Sequence, residues 1–145
     1  MKKIIMMLLM AMAYCMGAMA QTAADKIVGV YKAVQEGKES KVKIFKYNGG
    51  YRAQVCWLKT PKNPDGTIKT DLKNPDKSKQ KTPSDRIVII DKVTYDDGLW
   101  QNGRIYDPTS GKTYKVEIKF KDAKTLEVKG KLGPFFKRVY WTKLQ

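Results

Sequence analysis

The chain has 145 residues, with 29 basic side chains against 14 acidic ones, no histidine and only two cysteines. Without histidine, neither a Ser-His-Asp nor a Cys-His catalytic arrangement can be assembled, and zinc held by histidines or by several cysteines is excluded too. The net charge of +15 turns attention to acidic partners.

The first twenty residues differ from the rest. Met1-Lys2-Lys3 is a charged start, Ile4 to Met16 is apolar, and Ala18-Met19-Ala20 has the small-x-small form of a cleavage site. This pattern predicts a secretory signal peptide over residues 1–20, cut after Ala20, and a periplasmic or secreted product. The apolar run is short for a bilayer span. An acylated Cys15 is the competing reading, but Tyr14 stands before it, where such sites need a small side chain. All seven methionines lie in this segment; without it the chain is a single domain, 21–145, of net charge +13. Cys56 is then alone and cannot form an internal disulfide.

Ile27–Ala33 reads as a strand, with Gly29 marking a close backbone approach. Lys41–Tyr47 and Tyr51–Leu58 form a hairpin around Asn48-Gly49-Gly50, because Asn-Gly supplies the positive φ that a tight turn needs. On its second arm Tyr51, Ala53, Val55 and Trp57 share one face, and Cys56 falls with the polar set. Residues 59–85 hold four of the six prolines, seven lysines and four aspartates. That composition predicts a long surface loop, mobile in isolation. Arg86–Tyr95 returns to strand, and Asp97-Gly98 marks a turn. Leu99–Tyr106 follows, with Trp100, Asn102, Arg104 and Tyr106 on one face.

The clearest pattern comes last. Tyr114, Val116, Ile118 and Phe120 alternate with Thr113, Lys115, Glu117, Lys119 and Lys121; after a turn, Leu126, Val128 and Leu132 alternate with Thr125, Glu127, Lys129 and Lys131. A period of two means antiparallel strands with one buried and one wet face. Gly133-Pro134 then turns into a final strand, Phe135–Leu144. About eight strands at hairpin spacing predict an all-β fold, a small antiparallel up-and-down barrel, because closure removes exposed edges. A sandwich is the competing arrangement.

The stretch Trp100-x-x-Gly103-x-Ile105-Tyr106-Asp107-Pro108-x-x-Gly111-Lys112-Thr113-Tyr114 resembles the signature of the bacterial domain-of-unknown-function family 2147. So do Thr70-Asp71-Leu72-Lys73-Asn74-Pro75-Asp76 and the closing Trp141-Thr142-Lys143. The resemblance spans nearly all of residues 21–145. It implies a small exported protein with a lipocalin-like or fatty-acid-binding-protein-like barrel, and it supplies no catalytic residue. One departure is Tyr31, where the family's first strand usually has Gly-x-Trp. In the broader lipocalin-like plan that aromatic packs beneath an Arg or Lys of the last strand. Here Tyr31 and Arg138 would close the barrel end in this way.

The remaining chemistry is limited. Most aspartates fall in turns, where they bond the backbone, and neither Asp65-Gly66 nor Asp71-x-x-Asn74-x-Asp76 has calcium-loop spacing. Catalytic residues, metal and cofactors are therefore expected to be absent. Lys115, Lys119, Lys121, Lys129 and Lys131 would form an outward comb. It reads either as a solvated wall or as a surface for anionic envelope components, export arguing against nucleic acid. Trp57, Trp100, Tyr106 and Tyr114 fall on predicted inward faces and, with Arg104, are the candidate ligand-binding residues. If Trp100 and Tyr106 point inward, period two carries Arg104 inward, where by resemblance to fatty-acid-binding barrels it would hold a ligand carboxylate. A bulge at Gly103 would instead send it out to solvent. The sequence thus predicts a monomeric, non-enzymatic binder of a small apolar or amphipathic ligand, an anionic lipid among the candidates. The alternative is an envelope interaction or stress protein with a filled core, acting through its basic surface or the long loop.

Overall fold

The computed structural model describes residues 23–145; the signal-peptide expectation lies outside them. Eight strands follow one another in chain order: β1 (Gly29–Gln35), β2 (Lys38–Tyr47), β3 (Gly50–Leu58), β4 (Val88–Asp96), β5 (Leu99–Asp107), β6 (Lys112–Asp122), β7 (Thr125–Leu132) and β8 (Phe135–Lys143). Each is antiparallel to its predecessor, and β8 pairs with β1, so the sheet closes into an up-and-down barrel. The sandwich is ruled out by that last pairing. It is short, three residue pairs from Tyr31↔Lys143 to Ala33↔Trp141, yet it leaves no free edge.

Three two-residue turns set the register. Asn48-Gly49 and Asp97-Gly98 have positive φ at both positions (43° and 79°, 47° and 84°), the geometry whose twist matches the flanking strands. Glu36-Gly37, at 52° and 74°, is a third that the sequence reading passed over. It starts β2 at Lys38, three residues before the expected strand.

Alternation then fills the inside. Val42, Ile44, Ala53, Val116, Ile118, Leu126 and Val128 are each 3% exposed or less. Burying each such side chain is worth about 1.5–3 kcal/mol.

One barrel end is sealed by the residues just before β1. A short turn at 23–27 folds beneath the strands, with Ile27 fully buried. Trp100 Nε1 donates to the Ala24 carbonyl (3.1 Å), and the Tyr31 hydroxyl donates to that of Ile27 (2.9 Å). The Tyr51 hydroxyl donates to Asp25 Oδ1 (2.6 Å), while Lys46 Nζ lies 2.8 Å from Oδ2. These two bonds hold the Asp25 carboxyl below its usual range, Lys46 acting more strongly than Tyr51. Burial, and then the Asp25 carboxylate, push Tyr51 up to about 12. Among the described residues no buried side-chain nitrogen or oxygen lacks a partner.

The closing cation is not Arg138. Period two along β8 puts Arg138 in the outer row, where Nε lies 2.7 Å from Glu127 and the guanidinium 4.7 Å from the Phe136 ring. Lys143, the β8 partner of Tyr31, takes the place instead. Its Nζ lies 6.0 Å from the centre of the Tyr31 ring and donates to the Lys26 carbonyl at 2.7 Å.

Candidate functional site

The opposite end of the barrel is open. The β1–β2, β5–β6 and β7–β8 turns and the long β3–β4 connection surround a cavity of about 850 Å³. Its walls are apolar: Val42, Val55, Ile87, Val128, Val139 and Trp141 line it. Trp141 is 4% exposed, so the indole is a fixed part of the wall. Gly130 in the inner row leaves room for Tyr114, since a Cβ there would sit 3.3 Å from the Tyr114 Cβ. Around the mouth stand Lys38, Lys59, Lys69, Lys73 and Lys137, against two carboxylates, Glu39 and Asp107. Both acids are already engaged. Glu39 lies 3.1 Å from Lys32 Nζ, and Asp107 accepts from the Thr109 amide and the Ser110 hydroxyl. With Glu39 paired to Lys32, five lysines stand against Asp107 alone, and the mouth presents an excess of positive charge above an apolar interior.

Residues 59–85 border one side of this mouth. The segment is pinned by bridges at Lys62↔Ile68 and Thr70↔Pro83 and by single 3₁₀ turns at Lys77–Lys79 and Ser84–Arg86. Asp71 fastens it to the wall. At 3% exposure it is the one buried charged side chain among the described residues. Its Oδ1 accepts from the Tyr106 hydroxyl at 2.7 Å and its Oδ2 from Asn74 Nδ2 at 2.8 Å. Burial first, and this bond second, raise the Tyr106 pKa. Lys73 Nζ adds a bond to the Thr109 carbonyl at 2.8 Å, tying the segment to the β5–β6 turn. Asp65, Asp76, Asp107 and Asp122 each cap a backbone amide two residues on, the turn role expected of aspartate. Asp71, like Asp25 at the other end, instead bonds a side chain far along the chain.

Two β-bulges redistribute the sequence-predicted site residues. In β3 the register with β2 shifts between Val42↔Val55 and Lys41↔Trp57, leaving Cys56 as an extra residue. The row flips there, so Trp57 points outward, 38% exposed, beneath Lys41 Nζ at 4.7 Å from its ring. In β5 the extra residue falls between Trp100↔Ile118 and Gly103↔Val116, with Asn102 at φ 62°. A Cβ on Gly103 would meet the Lys92 carbonyl oxygen at 2.1 Å, so only glycine allows this approach. Beyond it Gly103 and Ile105 stand opposite the inner residues Val116 and Tyr114, while Arg104 faces Lys115 in the outer row. Arg104 is exposed and not part of the cavity lining. The inward, ligand-holding Arg104 is thereby corrected in favour of the bulge.

Trp100 is buried, but at the sealed end, edge-on to Phe120 at 5.7 Å, and it does not line the cavity. Tyr114 lines the cavity from β6. Tyr106 borders it as well, although it pairs with the outer-row Thr113, because the 59–85 segment folds against it. Of the five candidates the structure thus brings two to the cavity. The reading missed Trp141, Val139 and Lys137. They lie in one row of β8 with Phe135, and that alternation was the available signal.

The lysine comb is largely engaged within the wall. Lys119 and Arg138 share Glu127, Lys131 pairs with Glu117, and Lys121 and Lys129 lie over the rings of Tyr140 and Phe136. Lys115 has no such partner among the described residues, and neither do Lys38, Lys59, Lys69 and Lys137 of the mouth.

Comparison with known proteins agrees with this architecture. The chain is similar in fold to a solved structure described as protein HP1028 from the human pathogen Helicobacter pylori, said to belong to the lipocalin family. The TM-score is 0.64 at 24% identity, covering 82% of this chain and 83% of that one. No curated protein matches the chain significantly in sequence. Residues 29–143 match the model of a family described as uncharacterised protein conserved in bacteria (DUF2147), and the chain belongs to that family.

Proposed function

We propose that this is an exported, non-enzymatic binding protein for an anionic amphiphile, whose apolar chain occupies the barrel and whose acidic head meets the lysines of the mouth. The observation that carries the reading is the cavity itself. A space of about 850 Å³ with aliphatic and indole walls falls in the range of small-molecule sites and is large for a core left by packing alone. Lys38, Lys59, Lys69 and Lys137 of the rim supply the polar contacts that fix orientation in such pockets. The leader at residues 1–20 supports export, and the absence of histidine from the sequence supports binding without catalysis.

Trp141 provides the test. With Trp57 and Trp100 replaced by Phe, emission comes from the cavity wall alone. Titration with a long-chain fatty acid should quench or shift that emission, and Val139→Trp, which fills the cavity, should weaken binding at least tenfold. Saturable binding unaffected by filling the cavity would remove the barrel interior from the site.

A further inference from the structure

Of the ten large apolar side chains exposed among the described residues, five gather at one end of the barrel. Val34 (54%), Leu72 (71%), Leu132 (49%), Phe135 (77%) and Phe136 (56%) all border the cavity mouth, although they come from three distant parts of the chain. Phe135 and Leu132 are partners flanking the β7–β8 turn and belong to the inner row, yet they project beyond the wall with nothing packed over them. The five mouth lysines surround them. Exposed apolar side chains gathered at one rim among lysines mark a surface meant to be covered.

We infer that the open end of the barrel docks on an anionic bilayer, with Phe135, Phe136, Leu132, Leu72 and Val34 entering the headgroup boundary and the lysines contacting lipid phosphates. Composition favours a bilayer over a protein partner. Protein interfaces are depleted of lysine relative to the rest of the surface, whereas interfacial membrane contacts combine lysine with large apolar and aromatic side chains. The charge is complementary to an anionic leaflet, and the two carboxylates at the rim are already paired or capped. Docking this end would also set the mouth of the cavity against the membrane, so that an amphiphile could pass between them without crossing water. The inference concerns the rim and does not require an occupied cavity, so vesicle binding and ligand binding are read separately.

The test is co-sedimentation of the 21–145 chain with vesicles of phosphatidylglycerol and phosphatidylethanolamine, compared with phosphatidylcholine alone. Binding to the anionic vesicles only is expected, and it should weaken as salt is raised. The pair Phe135→Ser and Phe136→Ser should reduce it about tenfold or more. Lys38→Gln with Lys137→Gln should reduce it roughly fivefold per lysine. Lys26→Gln with Lys124→Gln, at the sealed end, should leave it within twofold. All these side chains are exposed, and unchanged circular dichroism spectra would confirm that the variants fold. Failure to bind anionic vesicles would overturn the inference. So would equal losses from substitutions at the two ends, or binding indifferent to the two phenylalanines. Capture of an envelope protein through Phe135 and Phe136, without vesicle binding, would overturn it as well.

Discussion

The two ends of this barrel are built from the same strands and the same alternation, yet they are finished in opposite ways. At the sealed end every buried polar group has a partner. Trp100, Tyr31 and Tyr51 each bond to the turn at 23–27, and Ile27 is fully enclosed. At the open end lysines stand without carboxylates, and Phe135 projects with nothing packed over its ring. Local stability follows packing and satisfied hydrogen bonds, whereas binding needs groups left unsatisfied. Stability should therefore concentrate at the sealed end and recognition at the open one.

The largest effect should come from the sealed end. Trp100→Ala removes a buried indole together with its contacts to Tyr95 and Phe120, and should cost about 3–5 kcal/mol in urea unfolding. Phe135→Ala at the other end, where the ring is 77% exposed, should stay within about 0.5 kcal/mol. Comparable losses at both sites would break the contrast.

An intermediate effect is expected where the 59–85 segment meets the mouth. Tyr106→Phe leaves the Asp71 carboxylate short of a donor while it is still buried, a loss of about 1–3 kcal/mol. Limited proteolysis within 59–85 should accelerate in this variant while the hairpin turns stay resistant. If cleavage is unchanged, Asp71 is not the fastening point.

What the sequence made legible, and what it hid, follows from the physics of a period of two. Alternation in β6 and β7 and the Asn48-Gly49 and Asp97-Gly98 turns were enough to count strands and argue closure, because each is a local signal. Which face a residue occupies is not local, since a single extra residue inverts everything beyond it. Cys56 did this to Trp57, and Asn102 did it to Arg104. Gly103 was a visible warning at the second bulge; the first has no glycine, and nothing nearby announced it. The burial of Asp71 was equally hidden, because its partner Tyr106 lies 35 residues away. The mouth was missed for a related reason. Lys137 reads as one more surface lysine until the β7–β8 pairing sets it opposite Gly130, in the inner row.

The smallest effect is the pH dependence of the sealed end, and its sign differs for the two partners of one hydrogen bond. Lys46 and Tyr51 hold the Asp25 carboxyl below its ordinary value of 3.8. The carboxylate is thus favoured by folding, and its contribution is complete above that value and fades as pH falls through the lowered one. Tyr51 is pushed from 10.0 to about 12, so folding favours the neutral phenol. Its contribution is complete below pH 10 and is lost as pH rises through about 12. The sealed end should therefore weaken in strong acid and again in strong alkali, with a plateau between. Tyr51→Phe should abolish its share of the alkaline loss and lessen the acid loss, since one of the two donors to Asp25 is gone. Asp25→Asn should remove the acid contribution and leave an alkaline loss that is smaller but present, because burial remains the larger cause of the Tyr51 shift. Chemical denaturation across pH 2 to 12 reads both limbs. A Tyr51→Phe protein with the parent's alkaline profile would show that the Asp25–Tyr51 bond does not hold the end shut.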